Sequence, residues 1–493
     1  MVNGNPEMKE YAAKQPSPWV SVLPLAVLTL LLYVVIRCFG GDAINGGSQI
    51  ALLSATSVCV MLAIGIYRCK WAVLEEAIID NIRASASAII ILLLIGAIAG
   101  SWMVSGVVPT MIYYGLKILH PSFFLVASCA ICAGVSLMTG SSWTTIATIG
   151  VALMGIGQAM GFPEGWIAGA IISGAYFGDK ISLLSDTTVL ASSTVGVPIF
   201  THIRYMLYTT VPSFVIALAV FVIAGLTLDH TGGTHAGMYA DSLRGTFRIT
   251  PWLLAVPVAT GVLIVRKLPA IVTLFCAAVF ACIAMLLAQP ELVAKVAGVG
   301  GLDFMSGFKG VLMSCFGPTA IPTGSPQLDE LVATRGMAGM LNTVWLIICA
   351  MCFGGVMTGS GMLGALTSVF LRFVRRAFSA VASTVGAGIF FNLCTADQYI
   401  SIILSGRLFR ELYAERGLEP RLLSRSVEDS ATVCSVLVPW NSCGMTQATV
   451  LGVSTFVYMP YCIFNIVSPL MSLMVAAIGW KIKRAAGTAA HPH

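Results

Sequence analysis

Long apolar runs alternate with short polar connections along this chain, and an apolar run of about 20 residues is the length that crosses a bilayer as a helix. Trp19–Cys38 and Ile50–Tyr67 read as two spans joined by the Gly-rich stretch Gly40–Gly47. The following connection carries Arg68, Lys70, Glu75, Glu76, Asp80 and Arg83 and has the pattern of a helix lying along the surface, its basic residues marking a cytoplasmic side. Ala84–Val104 predicts a third span, with Gly96 and Gly100 spaced for close helix contact, and the shorter Val107–Leu119 follows. Ser122–Phe162 has no charged residue but is punctuated by TGSSWTT at Thr139–Thr145. That pattern predicts a broken helix or re-entrant hairpin, because irregular backbone at membrane depth must be buried or line a water-filled cavity. Tyr205–Leu228 reads as a long span, Asp229–Arg248 as a polar loop, and Thr250–Val265 with Leu268–Ala288 as a tight pair joined at Arg266–Lys267. Glu291–Arg335 reads as a connection bearing Gly and Pro. Leu341–Met357 and Ala377–Leu393 are further spans, separated by the basic cluster Arg372, Arg375 and Arg376. Thr395–Arg407 is a second broken run, Arg410–Arg425 a charged loop, and Phe456–Trp480 the last span.

Two blocks of this pattern match. Thr139, Trp143, Gly150 and Gly161 fall on Thr395, Tyr399, Gly406 and Gly417 at a constant offset, and Gly196 and Phe200 fall on Gly452 and Phe456 at the same one. Between these, one extra residue in the second block places Ser173 on Ser430. Interrupted apolar segments at corresponding places in two halves point to a transporter site where the halves meet. An odd number of spans between the copies would invert one relative to the other, and this is the arrangement expected.

Composition removes the soluble alternatives. Of 493 residues, 57% are hydrophobic and only 10% charged, with mean hydropathy +0.91, against about 25% charged in soluble domains. The fold class expected is an all-α polytopic membrane protein of about 10–12 transmembrane helices, with two inverted repeats carrying re-entrant or broken helices. The net charge of +6 fits topological bias rather than a nucleic-acid footprint. The 14 Cys are scattered through apolar runs, and the Cys129/Cys132 and Cys349/Cys352 pairs lack neighbours suited to metal or redox work. The pairs Gly165/Gly169, Gly174/Gly178 and Gly355/Gly359 read as packing positions. No HExxH or GxSxG occurs, so an intramembrane enzyme is not expected, and no cofactor is implied.

The charged residues that remain inside apolar surroundings carry the chemistry. From Trp166 to Thr201 they are Asp179, Lys180 and Asp186, within SGAYFGDKISLLSDTT. Each such group costs about 2.5–3.5 kcal/mol at a helix centre, so three within eight positions must face a cavity and satisfy one another. This is the pattern of an ion site in a transporter.

GAYFGDKISLLSDTT resembles the signature of the NhaC-type sodium/proton antiporter family, and TADQY, SRSVEDSATV and LVPWNSCG in the second block are similar to that family's pattern. The likeness runs from about Asn81 to the last span. Leu183 stands where the family usually has Pro, and Val189 where Asn is common. The resemblance implies an antiporter of inverted-repeat architecture that exchanges sodium for protons across the cytoplasmic membrane. The same family includes exchangers coupling sodium and protons to malate and lactate, so a small carboxylate is the alternative cargo.

Exchange of this kind needs one site that holds a cation or a proton but never both. A carboxylate serves if burial disfavours its charged form, with hydroxyls and freed carbonyls completing the shell of a hard cation. Asp179 and Asp186 are the first candidates, as sodium and proton ligands. Ser182, Ser185, Thr187 and Thr188 are oxygen donors beside them, and Lys180 is a cation that pairs with an acid and releases it. From the second block come Asp397, Glu428 and Asp429, with Asn392, Thr432, Asn441 and Ser442 as neutral ligands; Thr139, Ser141 and Ser142 supply the tip of the first hairpin. The six His lie near expected ends, loops or the tail. Arg407 is the candidate cation for a carboxylate cargo, and Arg421 and Arg425 are placed to draw Glu428 and Asp429 into a surface ion network. The expected division is a tail at 1–18, a two-span segment at 19–83, a first repeat at 84–228, a connecting region at 229–335, a second repeat at 336–480 and a tail at 481–493, with both tails cytoplasmic. The partners expected are sodium, protons and the lipid bilayer. Oligomeric state is left open, a homodimer included.

Overall fold

In a computed structural model of the chain, the structure describes residues 16–39, 45–228, 234–266, 268–301, 303–323, 329, 332–372, 374 and 376–482. Most of both expected tails, part of the Gly-rich connection, the start of the expected loop at 229–248, Lys267 and Arg375 lie outside them. Among the described residues the chain is helical, apart from one isolated bridge between Thr319 and Thr334. Helices are what such a sequence must form in hydrocarbon, where each backbone N–H and C=O needs a partner within its own segment. Among the described residues, eight helices are long and apolar enough to cross a membrane, or up to eleven if each of three bent pairs is one span.

In chain order the helices are α1 (Leu23–Phe39), α2 (Gly47–Gly65), α3 (Trp71–Val104), α4 (Val107–Ile118), α5 (Phe124–Thr139), α6 (residues 142–159), α7 (Glu164–Ile181), α8 (Asp186–Val195) and α9 (Ile199–Thr227). Then come α10 (Thr234–Thr246), α11 (Ala255–Val265), α12 (Ala270–Ala288), α13 (Pro290–Ala297), α14 (Phe304–Phe316), α15 (Leu341–Gly359) and α16 (Met362–Arg372). The last are α17 (Ala377–Thr395), α18 (Gln398–Glu415), α19 (Pro420–Val427), α20 (Ser442–Leu451) and α21 (Ile463–Ile478). Three expectations change. The expected surface helix and third span are one element, α3, whose 34 residues extend about 50 Å. Neither Glu291–Arg335 nor Arg410–Arg425 is a plain connection: the first contains α13 and α14, and the second is the end of α18 and most of α19. The expected loop Asp229–Arg248 contains α10. Charged residues obscured these helices because polar composition marks a solvated face as readily as a loop.

The repeat is visible in the backbone itself. Left-handed residues end corresponding helices at Gly140 and Ala396, Gly161 and Gly417, and Gly196 and Gly452. Ser141 and Asp397 are N-caps at matching positions, as are Ser185 and Asn441. Even the turn chemistry recurs: Thr139 Oγ1 meets Thr145 Oγ1 at 3.2 Å, and Thr395 Oγ1 meets Ser401 Oγ at 3.2 Å. The one-residue shift at Ser430 has a physical cause. Glu428–Thr432 is a π turn continuing α19, and a π turn accommodates one residue more than the α-helix it interrupts. The copies also contact each other reciprocally, α8 packing on α18 while α20 packs on the π turn of α6 at Ile146–Gly150.

The scaffold around them depends on close backbone approach. A Cβ added at Gly174 would lie 2.0 Å from the Cys129 carbonyl oxygen, and one at Gly178 would lie 2.2 Å from that of Ala133, so α5 and α7 touch along this edge. On another face of α7, Gly165 and Gly169 meet the Val457 and Tyr461 carbonyls at 2.6 and 2.3 Å by the same construction. Cys129 and Cys132 are free and buried in this seam, as the packing reading expected. Gly174→Ala is expected to lower stability by about 1–3 kcal/mol through overpacking, whereas Gly134→Ala, where nothing lies within 4 Å, is expected to be neutral. Thermal melting of the detergent-solubilised protein checks both.

Candidate functional site

The centre of the molecule is built where the second helix of each repeat breaks. α7 and α8 meet at 47° across Ser182–Ser185. This bend forms without the Pro expected at position 183. Instead Ser182 closes α7 with its N–H on the Asp179 carbonyl, and its hydroxyl donates to the Leu137 carbonyl at 2.8 Å. Ser185 then caps α8 through the Thr188 N–H and meets Thr187 Oγ1 at 3.0 Å, while the Thr188 hydroxyl donates to the freed Lys180 carbonyl. The hydroxyls of SLLSDTT are therefore committed to shaping the break.

Asp179, on the last turn of α7, is buried and reaches the tip of the first hairpin. Its Oδ2 accepts the Ser142 N–H at 3.1 Å and the Ser142 hydroxyl at 2.8 Å. Its Oδ1 has no hydrogen-bond partner. Asp179 lines a cavity of about 520 Å³ together with Thr139, Ser141, Trp143, Thr144, Asp186, Gln398 and Tyr399. Asp186 is exposed at the first turn of α8, taking the Thr187 N–H and the Tyr399 hydroxyl, the latter at 2.8 Å. One carboxylate is thus deep and the other shallow on a single hollow between the two repeats. No Lys, Arg or His is among its described lining residues.

Lys180, one residue on, points elsewhere. Its ammonium is fully buried and forms an ion pair with Asp429, also fully buried, and donates to Ser468 Oγ at 2.9 Å. The Thr209 and Ser468 hydroxyls also reach Asp429 Oδ1, at 3.2 and 3.3 Å, while Oδ2 is unpartnered among the described residues. Glu428 is fully buried with neither carboxylate oxygen hydrogen-bonded, and the Thr432 hydroxyl is likewise buried and unpartnered. The surface network with Arg421 and Arg425 is therefore not what forms: Arg421 pairs with Glu419 at 2.7 Å, and Arg425 is itself fully buried.

The remaining candidates hold the second hairpin together. Asp397 caps α18 by accepting the Ile400 N–H at 3.0 Å and takes the Ser442 hydroxyl at 3.2 Å. The Ser442 N–H in turn fixes the carbonyl of Ala396, whose left-handed φ of 57° is unusual for a residue with a Cβ. Asn392 donates to the Ala431 carbonyl freed by the π turn, and Asn441 donates to Asn392 Oδ1 at 3.1 Å. Trp440 donates its indole N–H to the Leu393 carbonyl at 2.8 Å. Arg407 is exposed on α18 and does not line the cavity.

Sequence reasoning missed several residues. His202 was placed near an end, yet it is fully buried in the first turn of α9, with Nδ1 2.9 Å from Ser424 Oγ. Thr209 and Ser468 carried a weak signal as hydroxyls inside apolar spans. Tyr399 was visible only as the counterpart of Trp143.

The profile of the Na+/H+ antiporter family matches residues 174–480. The Na(+)/H(+) antiporter NhaC of Alkalihalophilus pseudofirmus is 35% identical over 425 residues, 86% of this chain and 89% of that protein. The Na(+)/H(+) antiporter NhaC of Bacillus subtilis is 33% identical over 83% of this chain and 87% of its own length. The Malate-2H(+)/Na(+)-lactate antiporter of the same bacterium is 34% identical over 87% of this chain and 89% of its own length.

The cap geometry separates structural from chemical acids. Asp397→Asn keeps an acceptor for Ile400 and Ser442 and is expected to melt close to the parent protein, while Asp397→Ala is expected to lose about 0.5–2 kcal/mol. Thermal melting in detergent distinguishes them.

Proposed function

The chain belongs to the Na+/H+ antiporter family, and from that premise we propose that it exchanges sodium for protons around Asp179 by alternating access. The carrying observation is that buried Asp179, one of whose carboxylate oxygens has no hydrogen-bond partner among the described residues, lines the 520 Å³ hollow. A carboxylate in that position holds sodium or a proton, and burial sets the two in competition for the same oxygens. Ser142 holds the other oxygen through its N–H and hydroxyl, which leaves the free one available to a proton or a cation. Asp186 stands on the path and attracts cations, its orientation fixed by Tyr399 from the other repeat. The first cargo is therefore a cation, which the two acidic lining residues favour and an anion would oppose. A carboxylate cargo, as the name of the malate/lactate relative suggests for that protein, would need a cation facing the hollow, and Arg407 does not face it.

The rest of the reading follows from this. The two repeats, related by inversion, rock against each other about the site. The protein is a transporter of the cytoplasmic membrane rather than an enzyme, with its clusters at Arg68–Arg83 and Arg372–Arg376 toward the cytoplasm. Glu428 is a further buried carboxylate of the second repeat, and Asp429 beside it is paired with Lys180.

In everted vesicles loaded with a pH-sensitive dye, added sodium is expected to drive proton movement in the parent protein. Asp179→Asn is expected to reduce it to background, and Asp186→Asn to raise the half-saturating sodium concentration by about tenfold or less, equivalent to roughly 1.4 kcal/mol. Because a proton and sodium compete, that concentration should fall as pH rises, by at most about tenfold per unit. Added malate or lactate should leave the flux unchanged. A sodium-driven flux that persists in Asp179→Asn, or that requires malate or lactate, would sink the reading.

A further inference from the structure

A fully buried guanidinium has no hydrogen bond among the described residues. Arg425 is 0% exposed, and its Nε, Nη1 and Nη2 all lack a hydrogen-bond partner among the described residues. Its one close contact of note is the face of the Tyr205 ring, 4.7 Å from the guanidinium carbon, a ring that Arg421 also approaches at 4.8 Å. An uncompensated buried charge is among the costliest features a fold can carry. A cation–π contact offsets only part of that cost. The group must have a partner in some state of the protein.

The helices say which partner is in reach. Arg425 and Asp429 are four residues apart on α19 and its π continuation, and such positions stand on one face with about 5–6 Å between Cβ atoms. The facing helix, α9, confirms the alignment one turn at a time. Tyr205 lies against Arg425, and Thr209, four residues on, donates to Asp429. Both groups thus sit on the same seam between α9 and α19, separated by a single turn. Asp429 meanwhile has a carboxylate oxygen, Oδ2, with no partner, while Oδ1 is held by Lys180 from α7 in the other repeat. The nearby acid Glu419 is already paired with Arg421.

We propose that Arg425 is the alternate counter-ion of Asp429, taking the carboxylate when Lys180 leaves it. The inference rests on the alternating-access reading above and supplies what that reading lacks. If α7 moves relative to α19, Lys180 cannot stay on Asp429, and a bare carboxylate at this depth would block the step. A guanidinium on the same helix as Asp429 travels with it and covers the charge. Arg425 is a positioning residue in this scheme, acting on the cargo only through Asp429. The π turn beginning at Glu428 loosens the helix between the two groups, so the exchange of partners needs a side-chain rearrangement and a small change of helix register rather than unfolding.

The test is a mutant cycle on the full-length protein, read in two ways. Lys180→Gln, Arg425→Gln and their combination are compared in proteoliposomes for sodium-driven proton flux, and in detergent for melting temperature. Each single variant leaves Asp429 one counter-ion; the combination leaves none, and its flux is expected to fall about tenfold below the product of the single effects, the coupling typical of contacting charges. In detergent the combination is expected to melt below the sum of the two single shifts, because it leaves the Asp429 carboxylate buried and bare, and adding Asp429→Asn to the combination is expected to recover much of that loss. Arg425→Lys, which keeps the charge should the Gln variant fail to fold, is expected to retain flux in the Lys180→Gln background. Strictly multiplicative losses of flux, or a melting defect of the combined Lys180→Gln and Arg425→Gln variant that Asp429→Asn leaves untouched, overturn the proposal. So does recovery by Glu428→Gln in place of Asp429→Asn, which would make Glu428 the partner. The melting cycle needs no transport, so an absence of sodium-driven flux in the parent protein would strike the functional reading while the pairing is still decided.

Discussion

The buried ion pair between Lys180 and Asp429 is the constraint the rest of the structure answers to. It joins the broken helix of one repeat to the broken helix of the other, with both charges fully out of solvent. Such a pair is weak as a source of stability, because desolvating two ions offsets most of their attraction. Its strength is in specificity: separating the halves leaves two bare charges, so the interface has few acceptable states. The surrounding hydroxyls of Thr209 and Ser468 complete the shell on one oxygen only. A site satisfied on one side and open on the other is suited to changing partners.

The polar backbone chemistry around the pair follows from the same low-dielectric setting. Breaking a helix inside a membrane frees carbonyls and N–H groups that must be met locally. Here Ser182, Ser185 and Thr188 meet those of the first break, while Asn392 and Asn441 serve the second, with Asn465 donating to the Val433 carbonyl at 2.9 Å. Pro469 removes a donor within α21, one residue after the Ser468 that serves the ion pair. Several of the neutral residues that sequence reasoning offered as cation ligands also fasten the breaks. Two unpartnered carboxylate oxygens remain at the centre, Asp179 Oδ1 and Asp429 Oδ2, beside a Glu428 carboxylate with no hydrogen bond.

How much was legible in the sequence depended on whether a feature rests on local or distant chemistry. The hairpin at Thr139–Thr145, the repeat register and the acid-bearing break at Asp179–Asp186 were legible, since each is a cost that a chain incurs only for a structural or chemical return. The pairing of Lys180 with Asp429 was half legible: that Lys180 needs an acid followed from its apolar flanks, but which acid depended on how helices 249 residues apart in sequence pack. His202 and Arg425 were misjudged because proximity to a helix end or to other charges reads as solvation, and burial by α9 against α19 cannot be seen from either segment alone. The helices within 291–335 and 410–425 were hidden for the converse reason, polar residues on a helix face resembling those of a loop.

Adjacency in sequence supplies the last link between the cavity and the ion pair. Asp179 and Lys180 are consecutive, so on a helix their side chains diverge by about 100°: one faces the hollow and the first hairpin, the other crosses to Asp429. Any rotation or translation of the last turn of α7 therefore acts on both at once. On the proposed reading, sodium binding at Asp179 and the release of Asp429 by Lys180 would be coupled through the backbone rather than through a chain of side chains. That turn ends at the Ser182–Ser185 break, and at Gly174 and Gly178 α7 lies directly against the backbone of α5 without side chains between them. A rigid, fully helical α7 would hold the two residues just as close but would give neither of them anywhere to go.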